Sequence, residues 1–138
     1  MKNIPILIVL GFTFLISCSS SSKNSQISEW VGSYKSYTSE NPFAEVSIVS
    51  DTLSCKIYEN DGSLGGTVKG EVFESLSSTN ITLPPFLQPG IPHIKSVLKL
   101  AHGYIFKVKE KSTDFFLSEY YLWIPELEHG EPVIKSEL

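Results

Sequence analysis

Short runs in which apolar and polar residues alternate recur along this chain of 138 residues. Residues 44–48 and 53–57 are two such runs, and Asp51 marks a tight turn between them. Alternation with a period of two is the pattern of a β-strand that buries one face. No window has a convincing helical period, so the pattern predicts an all-β protein.

The regular spacing of these strands predicts a single small antiparallel barrel of seven or eight strands, with a β-sandwich as the alternative. In the first strand, Trp30, Gly32 and Tyr34 share one face, and a glycine between two aromatic residues lets a strand bend as at a barrel corner. This opening resembles the first strand of lipocalin-like barrels and of the copper-resistance lipoprotein domain. The resemblance implies a lipocalin-like fold. No metal function carries over, because residues 39–42 lack the paired cysteines of that domain.

The beginning of the chain has the layout of an export signal. An apolar run at 4–16 follows a start with one charge, Lys2, and the run is too short to span a bilayer as a mature helix. It ends in Leu-Ile-Ser-Cys at 15–18, which resembles the lipobox of bacterial lipoproteins. The resemblance implies diacylation of the Cys18 thiol, cleavage before Cys18 and acylation of the new amine. An uncleaved anchor or an ordinary signal peptide is the alternative.

These features divide the chain into three segments. Residues 1–17 are predicted to be a lipoprotein signal peptide, and 18–28 a lipidated cysteine with a flexible serine-rich tether. Residues 29–138 form the barrel domain and its acidic C-terminal tail, in which 133–135 could add a short closing strand. The lipobox implies a lipid anchor in the bacterial cell envelope. Because no acidic motif follows Cys18, we expect the periplasm-facing side of the membrane.

Charge and residue types argue against several functions. The net charge is −4, and an acidic domain is not typical of a nucleic-acid binder. His93, His102 and His129 lie in separate segments without metal-ligand spacing, and there is no nucleophile elbow or phosphate loop. Cys55 alternates with apolar residues, which indicates a small buried side chain. We therefore expect no enzyme activity, cofactor or metal.

A proline-rich stretch follows the fourth strand and a short predicted strand at 81–83. Four prolines between 84 and 92 exclude a central strand, and apolar residues lie among them. Such a loop is either a lid over a cavity or a cover over one barrel end. If the barrel is hollow, the loop would gate an apolar ligand such as a fatty acid or isoprenoid. The predicted ligand-binding residues are Tyr34, Phe86, Leu87, Ile91, Tyr104 and Phe106.

The hairpin at 104–123 carries a different prediction. A short loop after Lys111 would pair Phe106 with Tyr120 and Lys107 with Glu119, an attractive cross-strand pair. This register turns an apolar stripe outward beside a lysine-rich segment, as in a contact surface for an acidic protein or anionic head groups. The predicted partner surface comprises Ile105, Lys107, Lys109, Tyr121 and Trp123. Alternatively, the aromatic residues pack under the proline-rich loop or the tail, and the lysines protect a strand edge.

Three function classes follow from these observations. The first is a membrane-anchored, non-catalytic envelope lipoprotein that binds a protein partner or the envelope surface. The second is a lipocalin-like carrier or sensor of a small apolar ligand. An enzyme is the third, and it has the least support because no catalytic constellation is present in the sequence.

The lipobox generates a testable prediction. Cys18→Ala removes the thiol that acyl chains would modify, so a radioactive fatty acid should label the wild-type protein and not the variant. Ser17→Ala keeps a small residue before Cys18 and should be labelled like the wild type. Equal labelling of Cys18→Ala would contradict lipidation at this residue.

Overall fold

The computed structural model describes residues 27–109, 116 and 118–138, which form one closed antiparallel barrel. Each strand pairs with the next along the chain, and the last pairs with the first. The strands are β1 (Gly32–Ser36), β2 (Ala44–Val49), β3 (Thr52–Tyr58), β4 (Leu64–Phe73), β5 (Ile94–Lys99), β6 (Tyr104–Val108), β7 (Tyr120–Ile124) and β8 (His129–Ser136). Short 3-10 helices span Leu76–Ser78, Gln88–His93 and Pro125–Leu127. The prediction of a small antiparallel barrel of seven or eight strands is confirmed, and the number of strands is eight.

Two predictions about segments need separate comment. The signal peptide, Cys18 and most of the tether lie outside the described residues. The predicted acidic tail contains β8, so residues 129–136 close the barrel instead of trailing from it. No helix within the described ranges has the length and apolar character that a membrane crossing requires.

The alternation of the strands fills the barrel interior. We call the end where β1 begins the lower end and the end where β1 finishes the upper end. Near the lower end, the Tyr120 ring lies edge-on to Trp30 and Tyr34, with centroid distances of 6.1 and 5.6 Å. The Tyr34 hydroxyl donates a hydrogen bond of 2.7 Å to the Trp30 carbonyl oxygen. The interior cluster comprises Trp30, Tyr34, Val46, Leu53, Cys55, Leu98, Leu100, Ile105, Tyr120, Leu122 and Val133.

A second cluster lies outside the barrel wall. Residues 74–93, which we call the cover segment, join β4 to β5 and contribute the buried side chains of Leu76, Leu83 and Leu87. These pack with buried residues of the wall and of the β6–β7 connection, namely Ile94, Val97, Phe106, Val108, Phe116 and Trp123. The proline-rich stretch therefore covers a side wall of the barrel, not an end or a cavity. Residues 81–83 belong to this segment and form no strand.

The predicted register of the β6–β7 hairpin is wrong by one residue. Phe106 lies opposite Tyr121 instead of Tyr120, and Ile105 lies opposite Leu122. A shift of one residue turns every side chain to the other face, so Ile105 points into the barrel and Phe106 packs outside it. Both faces of β6 carry buried apolar side chains, Ile105 in the interior and Phe106 and Val108 under the cover segment. Alternation therefore cannot indicate which face points inward.

Every strand and both clusters of the described structure lie within residues 27–138, as expected of a segment that folds as a unit. Two glycines of β4 show where that interior is filled. Gly66 and Gly70 lie opposite Ile57 and Leu53, which share a face of β3. A Cβ atom at Gly70 would approach the Cys55 Sγ at 2.9 Å and the Leu98 Cδ1 at 3.1 Å. At Gly66 it would meet no atom within 4 Å.

This contrast predicts a difference in stability. Gly70→Ala should lower the free energy of unfolding by about 1–3 kcal/mol, because the added methyl group overpacks the interior. Gly66→Ala, its control in the same strand, should change that free energy by no more than about 0.5 kcal/mol. Urea denaturation followed by circular dichroism measures both. If Gly70→Ala and Gly66→Ala had equal unfolding midpoints, this would contradict an interior that is packed near Gly70 and open near Gly66.

Candidate functional site

The upper end of the barrel opens into a cavity of about 480 Å³, which we call the upper cavity. Because successive strands run in opposite directions, the β1–β2, β3–β4, β5–β6 and β7–β8 connections all meet at this end. Residues of these connections or of the adjacent strand ends line the cavity. Its volume lies within the range of about 300–1,000 Å³ that is typical of small-molecule sites.

The floor of the upper cavity is apolar and continuous with the core. Leu100 and Leu122 line the cavity and also belong to the interior cluster. Phe43, Ile57 and Ile124 line it as well, are partly buried and pack against the same cluster. The cavity is therefore the unfilled upper part of the barrel interior, not a groove on its surface.

The mouth of the upper cavity is polar and carries carboxylates. Glu59 stands on the β3–β4 side, and Glu131 stands on β8 with its Oε2 3.1 Å from the His129 Nε2. His102 lies on the β5–β6 connection, with its Nδ1 3.9 Å from the Glu126 Oε1. The described residues that line the cavity include no lysine. The remaining polar lining residues are Ser36, Thr38, Ser39, Asn41, Tyr58 and Asn60.

Local hydrogen bonds hold two of the loops at the mouth. The Asp61 carboxylate accepts hydrogen bonds from the Ser63 hydroxyl at 2.6 Å and the Ser63 backbone N–H at 2.9 Å. These bonds lower the pKa of Asp61. Gly62 has a φ of +89°, and a Cβ there would lie 3.3 Å from the Asn41 Nδ2, so the two loops pack against each other. The β1–β2 and β3–β4 loops therefore support each other at the mouth.

The lower end, by contrast, holds an ion pair next to packed aromatic rings. The Lys107 Nζ lies 3.1 Å from the Glu29 Oε2, and the Lys135 Nζ donates a hydrogen bond of 2.9 Å to the Glu29 carbonyl oxygen. The two ammonium groups lie 6.0 and 5.8 Å from the centre of the Tyr120 ring. Burial, together with the charge of Lys107, lowers the pKa of Lys135. Side chains and their charged groups thus fill the interior at this end, whereas the interior at the upper end leaves a cavity.

The structure does not bring the six predicted ligand-binding residues together. Tyr34 lies in the packed interior, whereas Tyr104, Phe106 and Leu87 belong to the cluster outside the wall. Phe86 and Ile91 are exposed on the cover segment. None of the six lines the upper cavity. The error follows from the shifted hairpin register and from placing the proline-rich stretch over a barrel end.

The prediction that the partner surface forms an exposed apolar stripe is also wrong. Ile105 is completely buried inside the barrel, and Trp123 is 2 % exposed beneath the cover segment, with its ring 6.1 Å from that of Phe86. Tyr121 is half-buried and stacks on Phe106 at a centroid distance of 6.5 Å. Lys107 pairs with Glu29, which leaves Lys109 as the exposed member of the set. Packing of the aromatic residues under the proline-rich loop, the alternative that the sequence left open, is what the structure shows.

No local sequence pattern links the residues that line the upper cavity, because they lie in turns that are far apart along the chain. His102 is in the β5–β6 connection and His129 directly follows the β7–β8 connection. The topology of the predicted barrel, however, indicates which turns lie together. In an antiparallel meander, alternate connections share one end, so these turns and those at 37–43 and 59–63 had to converge.

Comparison with protein-family models, with curated proteins and with solved structures found no match for this chain. In the part of the chain that the structure describes, no group of three or more His, Cys, Asp or Glu residues is placed to hold a metal ion. The candidate site is therefore defined by its own geometry, an apolar cavity with a carboxylate-bearing mouth.

The depth of the upper cavity can be tested with Cys55, a free cysteine in the packed interior. Its side chain has no exposed surface, and burial raises the pKa of its thiol to about 11. In the Cys18→Ala variant, Cys55 should resist Ellman's reagent at neutral pH and react fully in urea. An added Ser63→Cys change at the exposed β3–β4 turn provides a control thiol that should react at once. Rapid modification of Cys55 in the folded protein would show that the cavity reaches further down.

Proposed function

We propose that this protein binds a small, largely apolar molecule in the upper cavity, as a lipid-anchored and non-catalytic component of the bacterial cell envelope. One observation carries the proposal: the cavity of about 480 Å³ continues the apolar barrel interior and has polar residues at its mouth. An apolar floor with a few polar groups at the entrance is the usual form of a small-molecule site.

The alternative function, binding of a protein partner, was predicted from a surface that is not exposed in the structure. Its aromatic residues Tyr121 and Trp123 pack beneath the cover segment, and its central cation Lys107 is engaged by Glu29. The large apolar side chains that remain exposed are spread over both ends of the barrel and the cover segment, including Ile48, Leu64, Phe86 and Leu127. The geometry therefore favours ligand binding over docking to a protein.

The position of the cavity relative to the proposed anchor supports a carrier or sensor of molecules in the envelope space. Residue 27 precedes Trp30 at the lower end, so a lipid on Cys18 would join the barrel at that end. The cavity opens at the opposite end. The mouth of the cavity consequently lies at the end of the barrel opposite to the attachment of the tether.

A series of straight-chain alcohols from hexanol to decanol tests the proposal on residues 19–138, which contain the whole folded unit. Each methylene group that enters the cavity should tighten binding about fourfold, because burying one contributes about 0.8 kcal/mol. Titration calorimetry gives the dissociation constants. The absence of binding by every alcohol, or an affinity independent of chain length, would contradict the proposal.

A substitution then locates the site. Ile57→Trp places a large side chain in the cavity from a wall that is only partly buried, so it should weaken decanol binding at least tenfold. Ile48→Trp is the matched control, because Ile48 is 39 % exposed near the lower end and does not line the cavity. Circular dichroism of both variants checks that the barrel is intact. Native mass spectrometry of protein purified from envelope extracts would identify the natural occupant.

A further inference from the structure

We propose that the mouth of the upper cavity selects amphipathic ligands that carry a cationic head group and disfavours fatty acids and other anions. This inference rests on the proposed function, since it concerns the same cavity. It replaces the fatty acid expected from the sequence with the opposite charge class.

The first argument is the pair of carboxylates at the mouth. Glu59 and Glu131 both line the cavity, on the β3–β4 side and on β8. Within the described ranges, neither carboxylate has a lysine at ion-pair distance, and Glu131 is paired with the His129 imidazole. A third carboxylate, Glu126, stands behind His102 at 3.9 Å. A ligand cation would therefore meet carboxylates that no lysine already neutralises.

The second argument is the absence of a fixed positive charge among the described lining residues. The eleven cations of the sequence are all lysines, and none of the lysines that the structure describes lines the cavity. A carboxylate head group would have no guanidinium or ammonium partner there and would face like charges. Repulsion between like charges grows as solvent is excluded, so a semi-enclosed mouth strengthens this selection.

The third argument is the order of apolar and polar groups along the cavity. Leu100 and Leu122 lie where the cavity joins the core, so an alkyl chain would enter first and leave its head group at the mouth. The Asn41 and Asn60 amides also line the cavity and can donate or accept hydrogen bonds, so they can hold a polar head group of either charge. The preference for a cation comes from the two carboxylates, which can accept from the three N–H donors of a primary ammonium.

Three probes with the same ten-carbon chain separate the effect of the head group from that of the chain: decylamine, decanol and decanoate. Binding to residues 19–138 is measured by calorimetry at neutral pH and low ionic strength, below the concentration at which each probe forms micelles. We expect decylamine to bind most tightly and decanoate least, with a difference of about tenfold or more. High salt should reduce the difference without changing decanol binding.

Charge-neutralising variants test which residues cause the preference. Glu59→Gln/Glu131→Gln should remove most of the advantage of decylamine, so the measurement is the ratio of decylamine to decanol affinity in the variant compared with the same ratio in wild type. Glu71→Gln is the control, since Glu71 is exposed on β4, does not line the cavity and removes a carboxylate elsewhere.

The outcomes distinguish the inference from the function on which it rests. If all three probes bind wild type equally, or if decanoate binds best, head-group selection is wrong and the cavity function stands. The inference would also be overturned if decylamine kept its higher affinity over decanol and decanoate equally in Glu59→Gln/Glu131→Gln and in Glu71→Gln. If none of the probes binds, both proposals fall together.

Discussion

Hydrogen bonding between β1 and β8, from the Ser33–Ser136 pair to the Ser36–Val133 pair, closes the sheet on itself. Closure removes both sheet edges and turns one face of every strand toward a common interior. It also brings the last described strand beside the first, so the end of the chain is part of the core and not an appendage. The cavity and the packed lower end both exist because the sheet is closed.

Side-chain size decides how much of that enclosed space is filled. Toward the lower end, Trp30, Tyr34 and Tyr120 occupy the interior and contact one another edge to face. Toward the upper end, small residues such as Ser36, Ala101 and Gly103 line the space and leave it open. The barrel is thus open at its upper end, and its hydrophobic core forms the floor of the cavity. A ligand would extend the core upward and gain from the same burial of apolar surface.

The cover segment gives this small domain a second layer of packing on one side. Leu76, Leu83 and Leu87 bury the outer face of the wall that β5, β6 and β7 form, and β5 is buried at four of its six positions. The strands of this wall pack on both faces. By contrast, Lys56 and Lys69 of β3 and β4 are exposed on the outside of the barrel.

Strands β2 and β3 were predictable because one face of each is in contact with solvent. Alternation of apolar and polar residues in β2 and β3 is a direct consequence of that asymmetry, and it correctly places Val46, Leu53 and Cys55 inside. Together with the spacing of the turns, it indicated a barrel. Where both faces are buried the asymmetry disappears, so the orientations of Ile105 and Phe106 could come only from packing against the cover segment. The upper cavity depends on residues from four distant connections, such as Glu59 and Glu131, and on the volume that nearby side chains leave empty. No local pattern encodes that volume, because it is a property of the closed barrel.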